Sequence, residues 1–273
     1  MNPSPLRYPG GKTKLYNKVS NIIVKSNLKG CVYIEPFAGG AGLALQLLYN
    51  GLVDKIVIND FDYHVYSFWY SILNNKSAFC SKLIDTPIDI VEWNKQKEIY
   101  NNYLKYDMLD VGFSFFFLNR TNRSGILKAG PIGGKKQNGT YKIDCRFNKE
   151  NLIEKINVVY SYRSKIVLHN KDAIDFISQN ISRYRRPCFV NFDPPYYNQG
   201  QQLYTNFYKE QNHRNLYTKI ASCQKPWIVT YDNCKFIIDL YKSYRKEDIT
   251  LNYSAGNIKV GQEVLFYNDY ITI

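Results

Sequence analysis

One βα unit constrains this chain most. Val32-Tyr33-Ile34-Glu35-Pro36-Phe37 reads as a strand. It runs into Ala38-Gly39-Gly40-Ala41-Gly42 and then an apolar helix, Leu43 to Tyr49, closed by Gly51. A strand, a glycine turn and a helix make a nucleotide-binding start, because a Cβ in the turn would keep a ligand from the backbone. The glycines fall at 39, 40 and 42, which is not dinucleotide spacing, and plain helix–strand packing would also use them. A second strand, Lys55 to Ile58, leads to Asn59-Asp60. An acid at that strand end is placed to accept hydrogen bonds from ribose hydroxyls, or to cap a helix.

A second stretch carries the chemistry. The apolar run Cys188 to Phe192 reads as a buried strand, and Asp193-Pro194-Pro195-Tyr196-Tyr197 follows it. Two prolines stop the strand, since proline offers no N–H to a ladder and fixes its own φ. An acid, a rigid carbonyl-bearing turn and an aromatic ring are thus held just past a strand's carboxyl end, where open α/β sheets bind ligands. Lys165 to His169 is another strand, with Asp172 or Asp175 capping the helix after it. Asp172 is a cofactor-base candidate as well as an N-cap candidate. Trp227 to Asp232 is a further strand. Ile249 to Ser254 and Glu263 to Asn268 have no helix between them, so they form an antiparallel pair. Near the N-terminus, Arg7-Tyr8-Pro9-Gly10-Gly11-Lys12 precedes a helix. Its glycines would expose N–H groups, Lys12 would sit at the mouth and Tyr8 could supply a flat face.

A chain of 273 residues forms one large domain, or one plus a smaller insert. With 36 basic and 23 acidic residues the net charge is +13, which points to a polyanion, nucleic acid before a membrane surface. The six cysteines form no Cys-x-x-Cys pair and three histidines are scattered, so neither a metal site nor a disulfide framework is expected. The most apolar run, Val111 to Leu118, is too short to span a bilayer, and the N-terminus lacks a signal-peptide core, which fits a reducing cytosol. Between Asn119 and Lys149 the chain carries Arg120, Arg123, Lys128, Lys135, Lys136, Lys142, Arg146 and Lys149 against one acid, Asp144. This glycine-rich segment, with a hairpin turn expected at Asn138-Gly139, suits phosphate contact and groove reading.

In order, Tyr8-Pro-Gly-Gly-Lys12, Phe37-Ala-Gly-Gly-Ala-Gly42, Asn59-Asp60, Phe117-Leu-Asn-Arg120, Asp193-Pro-Pro-Tyr196 and Lys259-Val-Gly-Gln-Glu263-Val-Leu-Phe-Tyr-Asn268 resemble the DNA adenine-N6 methyltransferases of the Dam (D12) family. The resemblance implies an α/β fold: a Rossmann-like S-adenosylmethionine-dependent methyltransferase sheet with an antiparallel terminal hairpin, plus a smaller helical and hairpin DNA-recognition insert. The expected catalytic domain covers 1–75 and 160–273, and the target-recognition insert 76–159. The resemblance also implies S-adenosylmethionine as cofactor, with Tyr8 and Lys12 flanking it. The turn Phe37, Gly39, Gly40 and Gly42 would pass beneath it, Asp60 would bind its ribose, and Asp172 would lie near its adenine. Asp193 also borders this cofactor site. Asp193 and the Pro194 carbonyl would hold the target amine, and Tyr196 would stack on the base.

The expected reaction moves a methyl group to N6 of a flipped adenine in double-stranded DNA. Asn119, Arg120, Arg123, Lys128, Lys135, Lys136, Lys142 and Arg146 are the expected DNA-contacting residues. After Asn119-Arg120 the segment diverges from GATC-specific members, so no recognition sequence is carried over. An RNA adenine or N4-cytosine methyltransferase, or a catalytically silent DNA-binding protein of the same fold, are the competing readings. A monomer or weak dimer is expected, acting on DNA in the cytoplasm of a bacterium or from a phage, with room for a cognate restriction endonuclease.

Overall fold

The structure is a computed structural model, and it describes residues 2–7, 12–198, 208–253 and 259–272. The chain divides into two compact units. One consists of Asp62–Ser164 with Pro3–Pro9, the other of Gly10–Phe61 and Lys165–Ile273.

The second unit is built on a seven-stranded sheet. Its strands are β1 (Cys31–Glu35), β2 (Val53–Asn59), β3 (Ile166–His169), β4 (Cys188–Phe192), β5 (Trp227–Asp232), β6 (Arg245–Tyr253) and β7 (Lys259–Tyr267). Their order is β3-β2-β1-β4-β5-β7-β6. The first five run parallel, and β7 is antiparallel to both β5 and β6. Every residue of β1, β4 and β5 is buried, as expected for unbroken apolar runs covered on both faces. Val32, Ile34, Val190, Phe192, Trp227 and Val229 belong to one core cluster. The sheet order reverses between β1 and β4. Connections leave these neighbours in opposite directions, and in open α/β sheets ligands bind outside the carboxyl ends at such a point. Both motif-bearing loops, 36–42 and 193–198, start there.

The other unit is helical. Helix α1 (Tyr16–Lys25) and α2 (Gly42–Tyr49) belong to the sheet unit, whereas α3 (Tyr63–Asn74), α4 (Lys76–Asp85), α5 (Ile90–Asn101), α6 (Met108–Thr121) and α7 (Lys149–Ser161) build the helical one. Asp62, Asp89 and Asp107 cap α3, α5 and α6 with their carboxylates. The core is aromatic: Phe68, Phe79, Phe113, Phe116, Phe117 and Phe147 lie ring against ring. At Gly112 a Cβ would stand 2.6 Å from the Ser67 carbonyl oxygen, so α3 and α6 approach backbone to backbone.

The compact helical unit, Asp62–Ser164 with Pro3–Pro9, contains the 76–159 segment expected to recognise the target, and it takes in α3, which packs on α6. One sequence expectation differs here. The hairpin at Asn138-Gly139 does not form. Between α6 and α7 the strand pairing is a single bridge, Asn122 with Pro131. The Gln137 side chain holds the segment instead, donating to Ile132 and Gly134 carbonyls and accepting from the Ile143 N–H. A weakly alternating, glycine-rich stretch has no apolar face to bury and so gains little from a ladder.

Candidate active site

The glycine turn and the acid after β2 meet directly. Gly39 adopts φ +45° and donates its N–H to Asp60 Oδ2 at 2.8 Å. Ala38 donates to the Asn59 carbonyl at 2.9 Å, and Ala41, also left-handed, precedes α2. Gly40 lies between them in the same turn. At Gly42 the requirement for glycine comes from packing: a Cβ would stand 2.6 Å from Thr13 Oγ. Asp172 caps the helix α8 (Ala173–Gln179), accepting the Ile174 N–H at 2.8 Å, while Asp175 sits in that helix's first turn. Tyr208 completes this side. Burial raises its phenol well above the ordinary range, and the charges of Asp172 and Asp60 raise it further. The Phe37 ring meets it edge-on, with centroids 6.2 Å apart. Tyr208 was legible only as the end of an apparent loop from Leu203. Residues 203–207 of that loop, and Tyr8 with Gly10 and Gly11, lie outside the described residues.

The other side is the turn after β4. Asp193 Oδ1 accepts from Thr230 Oγ at 3.1 Å and pairs with Lys12 Nζ at 2.8 Å. Lys12 donates to the Tyr196 hydroxyl at 2.7 Å, and its ammonium stands 4.9 Å above that ring's centroid. The Tyr196 hydroxyl in turn donates to Glu263 Oε1. Asp232 accepts the N–H groups of Tyr197 and Asn198, each at 2.9 Å, and so pins the chain just past the two prolines. Thr230 and Asp232 were not singled out in the sequence, and Glu263 stood only within the closing motif Lys259 to Asn268, with no role assigned. Asp232 carried a signal of its own, being an acid at a strand's carboxyl end like Asp193. Glu263 stands opposite Asp232 across the β5–β7 pair.

Two expected site residues are enclosed. Lys12 is 5% exposed, inside a cluster with Asp193 and Glu263. Tyr196 is 3% exposed. The cause is electrostatic: a carboxylate buried as deeply as Glu263 is costly without a countercharge, and Lys12 is the cation within reach. Burial pushes Glu263 up while Lys12 pulls it down. Burial also pushes Glu35, at the end of β1, up to about 8, and the charge of Asp193 adds to the rise. Glu35 accepts from the Tyr33 hydroxyl at 3.1 Å.

In the helical unit the expected DNA-contacting residues divide. Arg123, Lys128, Lys135, Lys136, Lys142 and Arg146 are exposed. Asn119 is fully buried, which corrects its assignment. Its amide donates to the Arg7 and Gly125 carbonyls at 2.9 and 3.2 Å and accepts the Arg7 N–H at 2.8 Å. Arg120 is half-buried, with its guanidinium on the Arg146 carbonyl. Burial, then the nearby charges of Arg7 and Arg146, bring it down to about 10. Like charges held this close favour a polyanion.

A parallel sheet with an antiparallel last strand pair, bearing a glycine turn and an Asp-Pro-Pro-Tyr turn at its switch point, defines a Rossmann-like methyltransferase. The description "D12 class N6 adenine-specific DNA methyltransferase" matches residues 8–254, and the chain belongs to that family. It is an adenine-specific DNA methyltransferase. A type II methyltransferase, M.MjaIII of Methanocaldococcus jannaschii, is 26% identical over 204 residues, which are 70% of this chain and 68% of that one. Among solved structures, a putative RNA methyltransferase of Pyrococcus horikoshii is 10% identical with a TM-score of 0.41, over 93% of this chain and 77% of the other. The rRNA methyltransferase aviRa of Streptomyces viridochromogenes is 12% identical with a TM-score of 0.41, over 95% and 86%. Among the described residues no helix is long and apolar enough to cross a membrane.

Proposed function

We propose that the enzyme uses S-adenosylmethionine to methylate N6 of an adenine turned out of duplex DNA, with Asp193 and the Pro194 carbonyl receiving the amine. The observation that carries this reading is the position of Asp193. It lies at the switch point, fixed by Thr230 and Lys12, on a turn that Asp232 clamps from behind.

An exocyclic adenine amine is a weak nucleophile because its lone pair is delocalised into the ring. Acceptors at Asp193 and Pro194 bind its two N–H hydrogens and turn the lone pair outward. They also stabilise the positive charge that develops on nitrogen as the N–C bond forms. The proton is then lost through Asp193 or to solvent. When bound, S-adenosylmethionine would supply the electrophilic methyl group, whose C–S bond to the sulfonium breaks as the N–C bond forms and leaves a neutral thioether. The donor set on the other side of the switch point suits it: Asp60 for ribose hydroxyls, Asp172 for the adenine edge, and the Phe37–Tyr208 ring pair for an apolar nucleoside face. Gly39 and Gly40 keep side chains off the backbone there.

The target atom is inaccessible in a duplex, so the base must leave the stack at a cost of about a few kcal/mol. Arg123, Lys128, Lys135, Lys136, Lys142 and Arg146 offset that cost through phosphate contacts. Tyr196 is assigned to stack on the extruded base.

The test is plasmid DNA from a methylation-free host that expresses this chain, read by single-molecule sequencing beside the Asp193→Ala variant. N6-methyladenine at one short motif, lost in the variant while S-adenosylmethionine still binds, is the expected result. Near-normal methylation by the variant overturns the role of Asp193.

A further inference from the structure

Asp193, the carboxylate assigned to the substrate amine, already holds an amine. Lys12 Nζ lies 2.8 Å from Asp193 Oδ1. A second carboxylate waits behind it. Glu263 is 1% exposed, and one of its oxygens accepts from Tyr196. Among the described residues its other oxygen, Oε2, is buried without a hydrogen-bond partner, and Lys12 Nζ stands 3.7 Å away. A buried acceptor left one short step from a donor is unusual, because an unmade hydrogen bond at such a site is costly.

We propose that Glu263 is a positioning residue of the methyl transfer: it takes over the Lys12 ammonium when the adenine amine takes Asp193. In the free enzyme Lys12 stands in for the target amine and keeps Asp193 oriented. When the base enters, a shift of about one ångström brings Lys12 Nζ to hydrogen-bond distance of Glu263 Oε2. Asp193 then has an oxygen free for the N–H, and the buried cation is never left without a carboxylate. The same movement works on Tyr196, whose hydroxyl lies between Lys12 and Glu263. No bond is made or broken and no proton changes owner in this exchange. The groups facing Glu263 are Lys12, Tyr196 and Asp193, with Asp232 opposite it on β5.

The inference rests on the assignment of Asp193 to the amine, and the experiment separates the two. Wild type, Glu263→Gln, Glu263→Asp and Asp193→Ala are compared for kcat, KM for DNA, S-adenosylmethionine affinity and thermal midpoint. The fluorescence of a duplex carrying 2-aminopurine at the target position is followed for each.

Glu263→Gln offers Lys12 no charge, so the ammonium stays on Asp193. Its kcat should fall about 10- to 100-fold, the loss of one charge-assisted hydrogen bond. KM, cofactor affinity and thermal midpoint should stay close to wild type, and the fluorescence rise should persist but slow. Glu263→Asp, which keeps the charge, should recover part of the loss.

A kcat for Glu263→Gln within twofold of wild type overturns the proposal. So does a loss matched by an equal loss of cofactor affinity or by unfolding, which would make Glu263 merely structural. Normal turnover of Asp193→Ala would instead overturn the underlying assignment of the amine.

Discussion

Thr230 on β5 donates its hydroxyl to Asp193 Oδ1 at 3.1 Å, the oxygen that Lys12 also holds. Two donors on one oxygen restrict the carboxylate to a single rotamer. Thr230 is fully buried, so Thr230→Val keeps the shape and removes only the hydrogen bond. Turnover should drop about tenfold, the value of one hydrogen bond to a charged group, while stability changes by only about 1 kcal/mol. Steady-state methyl transfer beside denaturant unfolding checks both. An unchanged kcat would mean that Lys12 alone orients Asp193.

Asp232 has a different task. It accepts two backbone N–H groups just past the prolines, at Tyr197 and Asn198, and it is nearly buried. Asp232→Ala leaves both donors without a partner. A stability loss of about 2–3 kcal/mol is expected, with a fall in kcat because the turn carrying Pro194 and Tyr196 is no longer pinned. Unfolding midpoints and turnover measured together should move in parallel, unlike those of Thr230→Val.

Glu35 makes stability fall as pH rises. Its carboxyl sits at about 8 in the folded chain against 4.5 as the ordinary value, so the folded state holds a proton that the unfolded state releases. Between those two pH values the unfolded chain binds fewer protons, and unfolding is favoured progressively as pH increases; above about 8 the effect is complete. Glu35→Gln removes this dependence. Urea unfolding at pH 6 and pH 9 should show wild type losing up to a few kcal/mol relative to the variant. Equal slopes for the two proteins would show Glu35 to be ionised throughout.

Asn119 and the exposed lysines should separate in a binding assay. Asn119 spends its amide on the backbone of Arg7 and Gly125, so Asn119→Ala should cost about 2–3 kcal/mol of stability and leave the salt dependence of DNA binding unchanged. Replacing Lys135 and Lys136, both exposed, by Gln should leave stability unchanged and reduce the salt slope by about 2, if each touches one phosphate. Affinity measured between low and moderate salt decides. A slope unaltered in the lysine variant would place both side chains in solvent.

Periodicity and punctuation were legible in the order of residues alone. Apolar runs covered on both faces marked β1, β4 and β5, glycines marked the turn before α2, and prolines marked the turn after β4, because each of these signals is local. That Asp60 ends the strand after the glycine turn was legible too, whereas its hydrogen bond from the Gly39 N–H was not. Only tertiary structure decided what surrounds Asp193. Lys12, the β5 pair Thr230 and Asp232, and Glu263 come from three separate places in the chain, and no spacing rule connects a lysine near the N-terminus with a glutamate near the C-terminus. Their meeting depends on the sheet order, which sets β4 beside β5 and β7 beside β5. The same holds for Asn119, whose Asn-Arg context suggested contact with DNA. Whether an amide reads a base or holds a backbone depends on burial, and burial is settled only when the helices pack.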